Sequence, residues 1–408
     1  MTYQRHRLSN GIRIIHRPTD SLVAHCGLMI NAGSRDEHPE EQGLAHFIEH
    51  VIFKGTEKRK AHHILSHMEN VGGEINAFTS KEETCIYGSF MHPYYQRWFD
   101  LVADIVFRSV FPEKELKKEK DIVIDEINSY RDNPSEQIVD DFDEIIFDGH
   151  PLGNNILGTP AHLKHFNGNM VRRYIQRNYV TEEMVICSVG RIEFSRLVQM
   201  AEKFFGDIPA SSRKSAREEI SGYRPGQKEI TRQNHQAHCM IGNQAYGMSH
   251  PRRNVMLLLN NILGGPGMNC RLNMSVREKH GFCYHIESMY QPYSDAGIFG
   301  IYFGTDPGYV NKTVKLIHKE LSRLRNQKLG SLQLKRAKNQ ITGQVAIAYE
   351  SNLNEMLSAG KTMLHLNKIF SLEETGRKIE MITAAELMEA ANELLDPAAM
   401  SMLAYKPA

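Results

Sequence analysis

The chain has 408 residues, of which 41% are hydrophobic and 24% are charged. This composition is typical of a folded globular protein and excludes a disordered or fibrous chain. The 49 Lys and Arg residues nearly balance the 48 Asp and Glu residues, so the formal net charge is +1. No block of five like charges occurs, and nucleic acid is therefore not an expected partner.

The six cysteines stand singly, without a CxxC pair. This pattern predicts reduced thiols and argues against a disulfide framework or a zinc ribbon. The N-terminal residues contain no apolar segment of the signal-peptide type, and apolar runs such as 255–259 are too short to span a bilayer. We therefore expect a cytoplasmic protein with no membrane partner.

Hydrophobic periodicity predicts an alternation of strands and helices in the first half of the chain. A strand over 27–32 leads into a helix over 43–53, in which apolar residues recur at helical spacing. The elements predicted after them are a short helix over 64–71, a strand pair over 76–90, helices over 96–110 and 113–129, and a buried strand over 183–190.

Residues 209–228 are rich in Ser, Arg, Lys, Glu, Gly and Pro and show little apolar periodicity. They predict a linker between a first domain over 1–208 and a second domain over 229–408. The second half repeats the order of the first, with a strand over 238–242, a helix over 254–263, a strand pair over 283–303 and a long helix over 332–349. We interpret this order as an internal duplication of about 200 residues.

The strongest local motif is HFIEH, which places His46, Glu49 and His50 within the predicted helix over 43–53. Residues at i and i+4 project from one helical face, so both imidazoles can reach a single metal ion. Glu49 lies beside them, where it can hold a water without being a ligand. The HxxEH order is the inverzincin signature, whereas a solvated helical face is the alternative that the pentapeptide alone leaves open.

A catalytic zinc needs a third protein ligand and an open fourth position. The predicted helix over 113–129 carries Glu119 and Glu126, seven residues apart and therefore two turns along one face. From the residues alone, ordinary surface carboxylates are the alternative interpretation.

Several segments, taken together in this order, resemble the M16 metallopeptidases, the family of pitrilysin, insulin-degrading enzyme and the mitochondrial processing peptidase. The resemblance covers nearly the whole chain. The segments that carry it are AGSRDE (32–37), GLAHFIEH (43–50), FKGT (53–56), GGEINAFTS (72–80), the helix of Glu119 and Glu126, residues 151–159, residues 264–272 and REKHGFCY (277–284).

The resemblance implies a Zn²⁺ site whose third ligand is Glu126. Glu119 is then a carboxylate that orients the site, and Glu49 is the general base that takes a proton from the attacking water. Two neutral imidazoles and one carboxylate leave a zinc ion with net positive charge, which lets it acidify its water.

In the second half, Arg277 and Tyr284 match an Arg/Tyr pair that in this family contributes to catalysis. The resemblance implies that Tyr284 donates a hydrogen bond to the oxyanion and that Arg277 binds substrate backbone or tunes the tyrosine. A buried tyrosine and a helix-surface arginine are the alternative.

The segment Asn76, Ala77, Phe78 and Thr79 resembles the exposed edge strand of the family, to which an extended substrate adds as a further strand. An ordinary internal strand with Asn76 in a turn is the alternative.

For a chain of this length, the resemblance implies an α+β fold of two homologous domains, each with a mostly antiparallel sheet covered by helices, forming half of a clamshell chamber. It further implies a zinc metalloendopeptidase that acts on unfolded peptides in extended conformation, as a homodimer whose sites are completed by the partner chain. Pairing with an inactive homologue stays open. A non-catalytic peptide-binding or scaffold subunit is the alternative from another functional class.

Overall fold

The computed structural model describes residues 3–220 and 222–408, which form two compact units. The first unit comprises the described residues of Met1–Asn128 together with Asn154–Arg217 and Ala348–Ser371. The second comprises Ser129–Gly153, the described residues of Glu218–Ile347, and Leu372–Ala408. Each unit is therefore built from segments of both halves of the chain.

The first half of the chain forms six strands and eight α-helices among the described residues. In chain order these are β1 (Gln4–Arg7), β2 (Arg13–Pro18), β3 (Val23–Ile30), α1 (Leu44–Val51), α2 (Ala61–Glu69), β4 (Glu74–Thr79), β5 (Thr84–Met91), α3 (Tyr95–Phe107), α4 (Glu113–Arg131), α5 (Pro134–Ile146), α6 (Pro160–His165), α7 (Gly168–Asn178), β6 (Met184–Gly190) and α8 (Phe194–Phe205).

The second half forms five strands and six α-helices among the described residues. These are β7 (Gln227–Arg232), β8 (Ala237–Ala245), α9 (Arg253–Gly264), β9 (Cys283–Pro292), β10 (Gly297–Thr305), α10 (Val310–Asn326), α11 (Ser331–Tyr349), α12 (Asn352–Leu366), α13 (Leu372–Glu380), α14 (Ala384–Leu394) and β11 (Ser401–Pro407). Over 3–220 and 222–408, no helix combines the length and the apolar character that crossing a bilayer requires.

The second sheet repeats the order of five strands of the first. The first sheet has the order β1-β2-β6-β3-β5-β4, and the second has the order β7-β11-β8-β10-β9. In each sheet one strand pair is parallel, β2 with β6 and β7 with β11, and the following pairs along the sheet are antiparallel. The common order from β2 and from β7 onward supports the internal duplication, and the predicted α+β fold with mostly antiparallel sheets is confirmed.

The apolar residues that recur at helical spacing in the sequence form part of the core of the first unit. On α1, Leu44, Phe47, Ile48 and Val51 are buried and pack in the same hydrophobic cluster as the inner face of the first sheet. The 3.6-residue spacing that predicted the helix therefore also places its apolar residues on the one face that is buried. The opposite face of α1 remains available for polar side chains.

Each half of the chain contributes one helix that packs on the sheet of the other half. Helix α5 from the first half packs on β8 and β11 of the second sheet, and its Phe142 is fully buried there. Helix α12 from the second half packs on β6 and β3 of the first sheet, where Met356 is fully buried. The contiguous boundaries predicted at 1–208 and 229–408 thus differ from the observed units, because each apolar helix face is covered by the other half's sheet.

The segment predicted as a linker over 209–228 is partly docked, and Ser221 within it lies outside the described residues. Arg213 and Arg217 contact the buried carboxylate of Asp36 at 2.6 Å and 2.8 Å, and Arg217 also reaches Glu82 at 3.3 Å. These ion pairs place residues up to Arg217 in the first unit. The polar composition predicted a linker, but it did not reveal that the guanidinium groups of Arg213 and Arg217 have buried partners.

Candidate metal centre

Helix α1 begins at a point where the chain turns sharply. Gly43 precedes it in the left-handed region, with φ of 92°, and a Cβ at this position would lie 2.6 Å from the carbonyl oxygen of Leu157. The buried carboxylate of Glu37 accepts hydrogen bonds from the backbone N–H groups of Gly43 at 3.0 Å and Ala45 at 2.7 Å. Glu37 therefore satisfies donors at the helix N-terminus that would otherwise be unpaired, and it fixes where α1 begins.

The polar face of α1 carries His46, Glu49 and His50. His46 is buried, and Glu49 and His50 are half-buried. The two imidazole rings lie 4.7 Å apart, as residues one turn apart should. The side-chain geometry thus brings the histidines of the motif to one side of the helix.

Helix α4 supplies the carboxylate that completes a cluster with these histidines. Glu126 Oε2 lies 3.7 Å from His46 Nε2 and 3.4 Å from His50 Nε2. One ligand atom from each of the three residues falls within 4.8 Å of the others. Among the described residues, this is the one group of three or more His, Cys, Asp or Glu side chains that could hold a metal ion.

The three donors fit a zinc ion in number and chemistry, and Glu126 Oε2 lies at a suitable distance from both histidines. Ligand atoms held about 2.1 Å from a tetrahedral metal lie about 3.4 Å apart, close to the two distances found here. Two imidazole nitrogens and one carboxylate oxygen form a three-ligand set of the kind that catalytic zinc sites use, with a fourth position left for water. The residues present therefore fit the metal that the sequence motif predicts.

The electrostatics of the cluster favour neutral imidazole on His46. Burial, and after it the neighbouring His50, lower the pKa of His46 to about 4. For His50, burial is outweighed by the contact with Glu126 and its negative charge, so the pKa lies above its ordinary value. The same contact with His50 lowers the pKa of Glu126. Glu126 is consequently a carboxylate at neutral pH, as a metal ligand must be.

Glu49 lies beside this cluster without being part of it. Burial raises the pKa of its carboxyl group, and the polar groups of Thr79 and the charge of His50 oppose that rise. A carboxylate with raised pKa is a stronger base, which suits a group that takes a proton from water.

Glu119 lies behind the cluster and is 4% exposed. Its Oε2 is 3.4 Å from His50 Nδ1, the ring nitrogen that faces away from Glu126. Its Oε1 is 2.8 Å from the ammonium group of Lys54. Glu119 is thus placed to orient His50 rather than to join the three-donor cluster, as the resemblance implies.

Strand β4, which carries Asn76, Ala77, Phe78 and Thr79, is the terminal strand of the first sheet and pairs with β5 alone among the described strands. Asn76 is exposed and the other three residues are half-buried. The strand packs beside α1, where Thr79 lies close to Glu49. The alternative of an internal strand is therefore wrong.

Arg277 and Tyr284 belong to the second unit. Arg277 lies in a π-helical turn over Asn273–Glu278, and Tyr284 is the second residue of β9, the edge strand of the second sheet. Both line a cavity of about 250 Å³ together with residues 265–268. Tyr284 is 68% exposed, which rules out the buried tyrosine of the alternative interpretation and leaves its hydroxyl accessible.

The sequence analysis missed two residues that shape this site, Glu37 and Lys54. Both lie in the segments AGSRDE and FKGT, which were singled out for their resemblance but received no role. Glu37 acts on Gly43, 6 positions further along the chain, and Lys54 acts on Glu119, 65 positions further along. Only the folded chain brings these partners together.

Comparison with known proteins identifies the family. Residues 13–160 match the model of the insulinase family (peptidase family M16), and residues 165–341 match that of the peptidase M16 inactive domain. The ligand cluster lies within the first of these matches and Arg277 and Tyr284 within the second.

Relatives of known sequence match over nearly their whole length. The chain is 34% identical to the uncharacterized zinc protease YmxG of Bacillus subtilis over 395 residues, which is 96% of this chain and 95% of that protein. It is 30% identical to an uncharacterized zinc protease of Streptomyces coelicolor over 408 residues, covering 97% and 87% of the two chains.

Two solved structures share the fold. One is described as a peptidase M16 inactive domain from Pseudomonas fluorescens, with a TM-score of 0.93 at 19% identity, covering 100% of this chain and 98% of the other. The second is a protease from Helicobacter pylori, also with a TM-score of 0.93, at 18% identity and covering 100% and 99%. Relatives named as zinc proteases align along almost all of its length, and the histidines of its HxxEH motif converge with Glu126; the chain therefore belongs to peptidase family M16.

Proposed function

We propose that this protein is a zinc metalloendopeptidase that hydrolyses peptide bonds of unfolded peptides, with Glu49 as general base. The observation that carries this proposal is the convergence of His46, His50 and Glu126 from two helices, with Glu49 beside them and outside the cluster. Relatives named as zinc proteases support the class of reaction.

In the proposed reaction, three residues of the first unit bind the metal and a fourth transfers protons. His46, His50 and Glu126 would hold the zinc ion, whose Lewis acidity lowers the pKa of water and polarises a peptide carbonyl. Glu49 takes the proton from water as its oxygen attacks the carbonyl carbon, and then donates a proton to the leaving amine nitrogen. The amine therefore leaves neutral while the carbon–nitrogen bond breaks.

We propose that strand β4 binds the substrate. Its free edge offers backbone N–H and C=O groups to an extended peptide, which would add to the sheet as a further antiparallel or parallel strand. Backbone pairing depends little on side-chain identity but requires an unfolded segment. The expected substrates are therefore extended peptides of varied sequence.

We infer that Tyr284 donates a hydrogen bond to the oxygen that becomes negative in the transition state, and that Arg277 binds substrate backbone. Their exposure and their shared cavity support these roles. We also infer a cytoplasmic location, because all six cysteines are unpaired and buried, as is usual in a reducing compartment.

The direct test combines elemental analysis with cleavage of a mixed peptide library, in the presence and absence of a chelator. We expect about one zinc ion per chain, loss of cleavage on chelation and recovery on adding zinc. Cleavage that continues after complete removal of metal would contradict the proposal. Peptide binding without cleavage by the zinc-loaded chain would instead support a non-catalytic peptide-binding subunit.

We further propose that the active form is a homodimer in which each zinc site is completed by Arg277 and Tyr284 of the other copy. Mixing inactive Glu49→Gln chains with inactive Tyr284→Phe chains should then restore activity, because one site in each mixed dimer has both intact components. About half of the dimers are mixed and each has one intact site, so roughly a quarter of the wild-type activity is the upper limit.

The control for this complementation is subunit exchange, followed by mass spectrometry of differently labelled chains. Exchange without recovered activity would contradict completion of the site by a partner chain. A monomeric chain with full activity would contradict the homodimer itself.

A further inference from the structure

Lys54 lies three residues beyond the end of α1, in the FKGT segment to which the proposed function assigns no role. Its backbone N–H donates a hydrogen bond to the carbonyl oxygen of Val51 at 3.1 Å, so the chain turns tightly after the helix. This turn directs the side chain toward α4, and the ammonium nitrogen lies 2.8 Å from Glu119 Oε1. Among the described residues, Glu119 is the one carboxylate within ion-pair distance of Lys54.

Glu119 requires such a partner because of where it lies. Its side chain is 5% exposed, whereas that of Lys54 is 27% exposed. A carboxylate removed from water to this extent is strongly disfavoured unless an opposite charge or hydrogen-bond donors compensate it. Lys54 supplies that charge from a position where its own ammonium group is still partly hydrated.

The two oxygens of Glu119 are shared between two partners. Oε1 faces Lys54, and Oε2 faces His50 Nδ1 at 3.4 Å. With Oε1 held by Lys54, Oε2 is the carboxylate oxygen that remains beside the imidazole. A carboxylate in this position favours the tautomer with a proton on Nδ1, which leaves Nε2 free toward Glu126 and the metal position.

We propose that Lys54 is a positioning residue of the metal centre, which acts through Glu119 to orient His50 for zinc. The inference rests on the proposed function, since it requires His46, His50 and Glu126 to be the zinc ligands. Within the described residues, Lys54 forms its ion pair with Glu119 and none with these three ligands, so it acts on the metal only through the buried carboxylate.

The test is a set of zinc dissociation constants, measured by competition with a chromophoric chelator, for the full-length protein and its variants. Lys54→Met should weaken zinc binding by about 10- to 100-fold, the range usual for residues that orient metal ligands. Lys54→Arg should recover most of the affinity, because a guanidinium group can reach the same carboxylate. The matched control is Lys58→Met, which removes an exposed lysine four residues further along and should leave zinc affinity unchanged.

A double-mutant cycle separates action through Glu119 from a general effect on the fold. In the Glu119→Gln background, Lys54→Met should cause little further loss of zinc affinity, because the charge that Lys54 compensates is already absent. Urea unfolding of each metal-free variant identifies any loss of folding. Should Lys54→Met not fold, Lys54→Gln, which keeps a polar side chain at this position, takes its place in the cycle.

Two results would overturn the role of Lys54: an unchanged zinc dissociation constant in a folded Lys54→Met protein, or an equal loss with and without Glu119. A wild-type chain that binds no zinc would instead contradict the proposed function, and Lys54 would lose its role with it. The two failures are therefore distinguished by the wild-type measurement alone.

Discussion

Replacing Glu49 with Gln is expected to abolish peptide cleavage while the zinc ion is retained. The substitution preserves the size of the side chain and removes only its capacity to accept and return a proton. Loss of a general base typically lowers the rate by about 10²- to 10⁴-fold. Zinc should stay bound because Glu49 is not among the three residues whose ligand atoms converge.

The measurements for Glu49→Gln are kcat and KM on a cleaved library peptide, together with zinc content. A loss confined to kcat would indicate a group that acts in the transition state, whereas a rise in KM alone would indicate a substrate contact. Glu57→Gln, at an exposed glutamate shortly after α1, is the matched control and should behave as wild type. A Glu49→Gln protein that cleaves at the wild-type rate would exclude Glu49 as the base.

Replacing Glu126 with Gln is expected to weaken zinc binding more than the same change at Glu119. Glu126 contributes the anionic oxygen of the cluster, with Oε2 3.4 Å from His50 Nε2. Glu119 contacts His50 only from the opposite side of the ring. We therefore expect Glu119→Gln to cost about 10- to 100-fold in zinc affinity and Glu126→Gln to cost more than that.

These affinities can be compared with Glu113→Gln, an exposed glutamate at the start of the same helix α4. The free energy of unfolding of each metal-free variant should also be measured in urea. This control is needed because Glu119 is buried and its replacement leaves Lys54 without its charged partner. Equal zinc affinity in wild type and Glu126→Gln would show that Glu126 is not a ligand. If Glu119→Gln lost more zinc affinity than Glu126→Gln, Glu119 would be the ligand and Glu126 the orienting residue.

Local periodicity was sufficient to predict the elements that carry the motif. The helix predicted over 43–53 is α1, although it begins only after Gly43, whose left-handed backbone lies outside the helical region. The long helix predicted over 113–129 is α4, which continues to Arg131. The spacing of His46 and His50 therefore correctly predicted that both imidazoles lie on one face of α1. This relation depends on helix geometry alone.

The meaning of the glutamates on α4 could not be derived in the same way. Their seven-residue spacing predicted that Glu119 and Glu126 share a face, but the same spacing also fits two surface charges. Resemblance to a family supplied the distinction between them. In the structure that distinction is made by contacts with α1: Glu126 meets both histidines, and Glu119 is buried between His50 and Lys54.

By itself, then, the amino-acid sequence determined the repeated order of elements and the histidine pair His46 and His50, since both follow from local spacing. Its resemblance to a known family supplied the α+β class and the choice of Glu126 as third ligand. Only the tertiary structure decided which half covers which sheet, as α5 and α12 show, because an apolar helix face does not specify the surface that buries it. It also decided the partners of Glu37, Asp36 and Glu119. Buried charges are compensated by side chains that are distant in sequence, and such pairs carry no local signal.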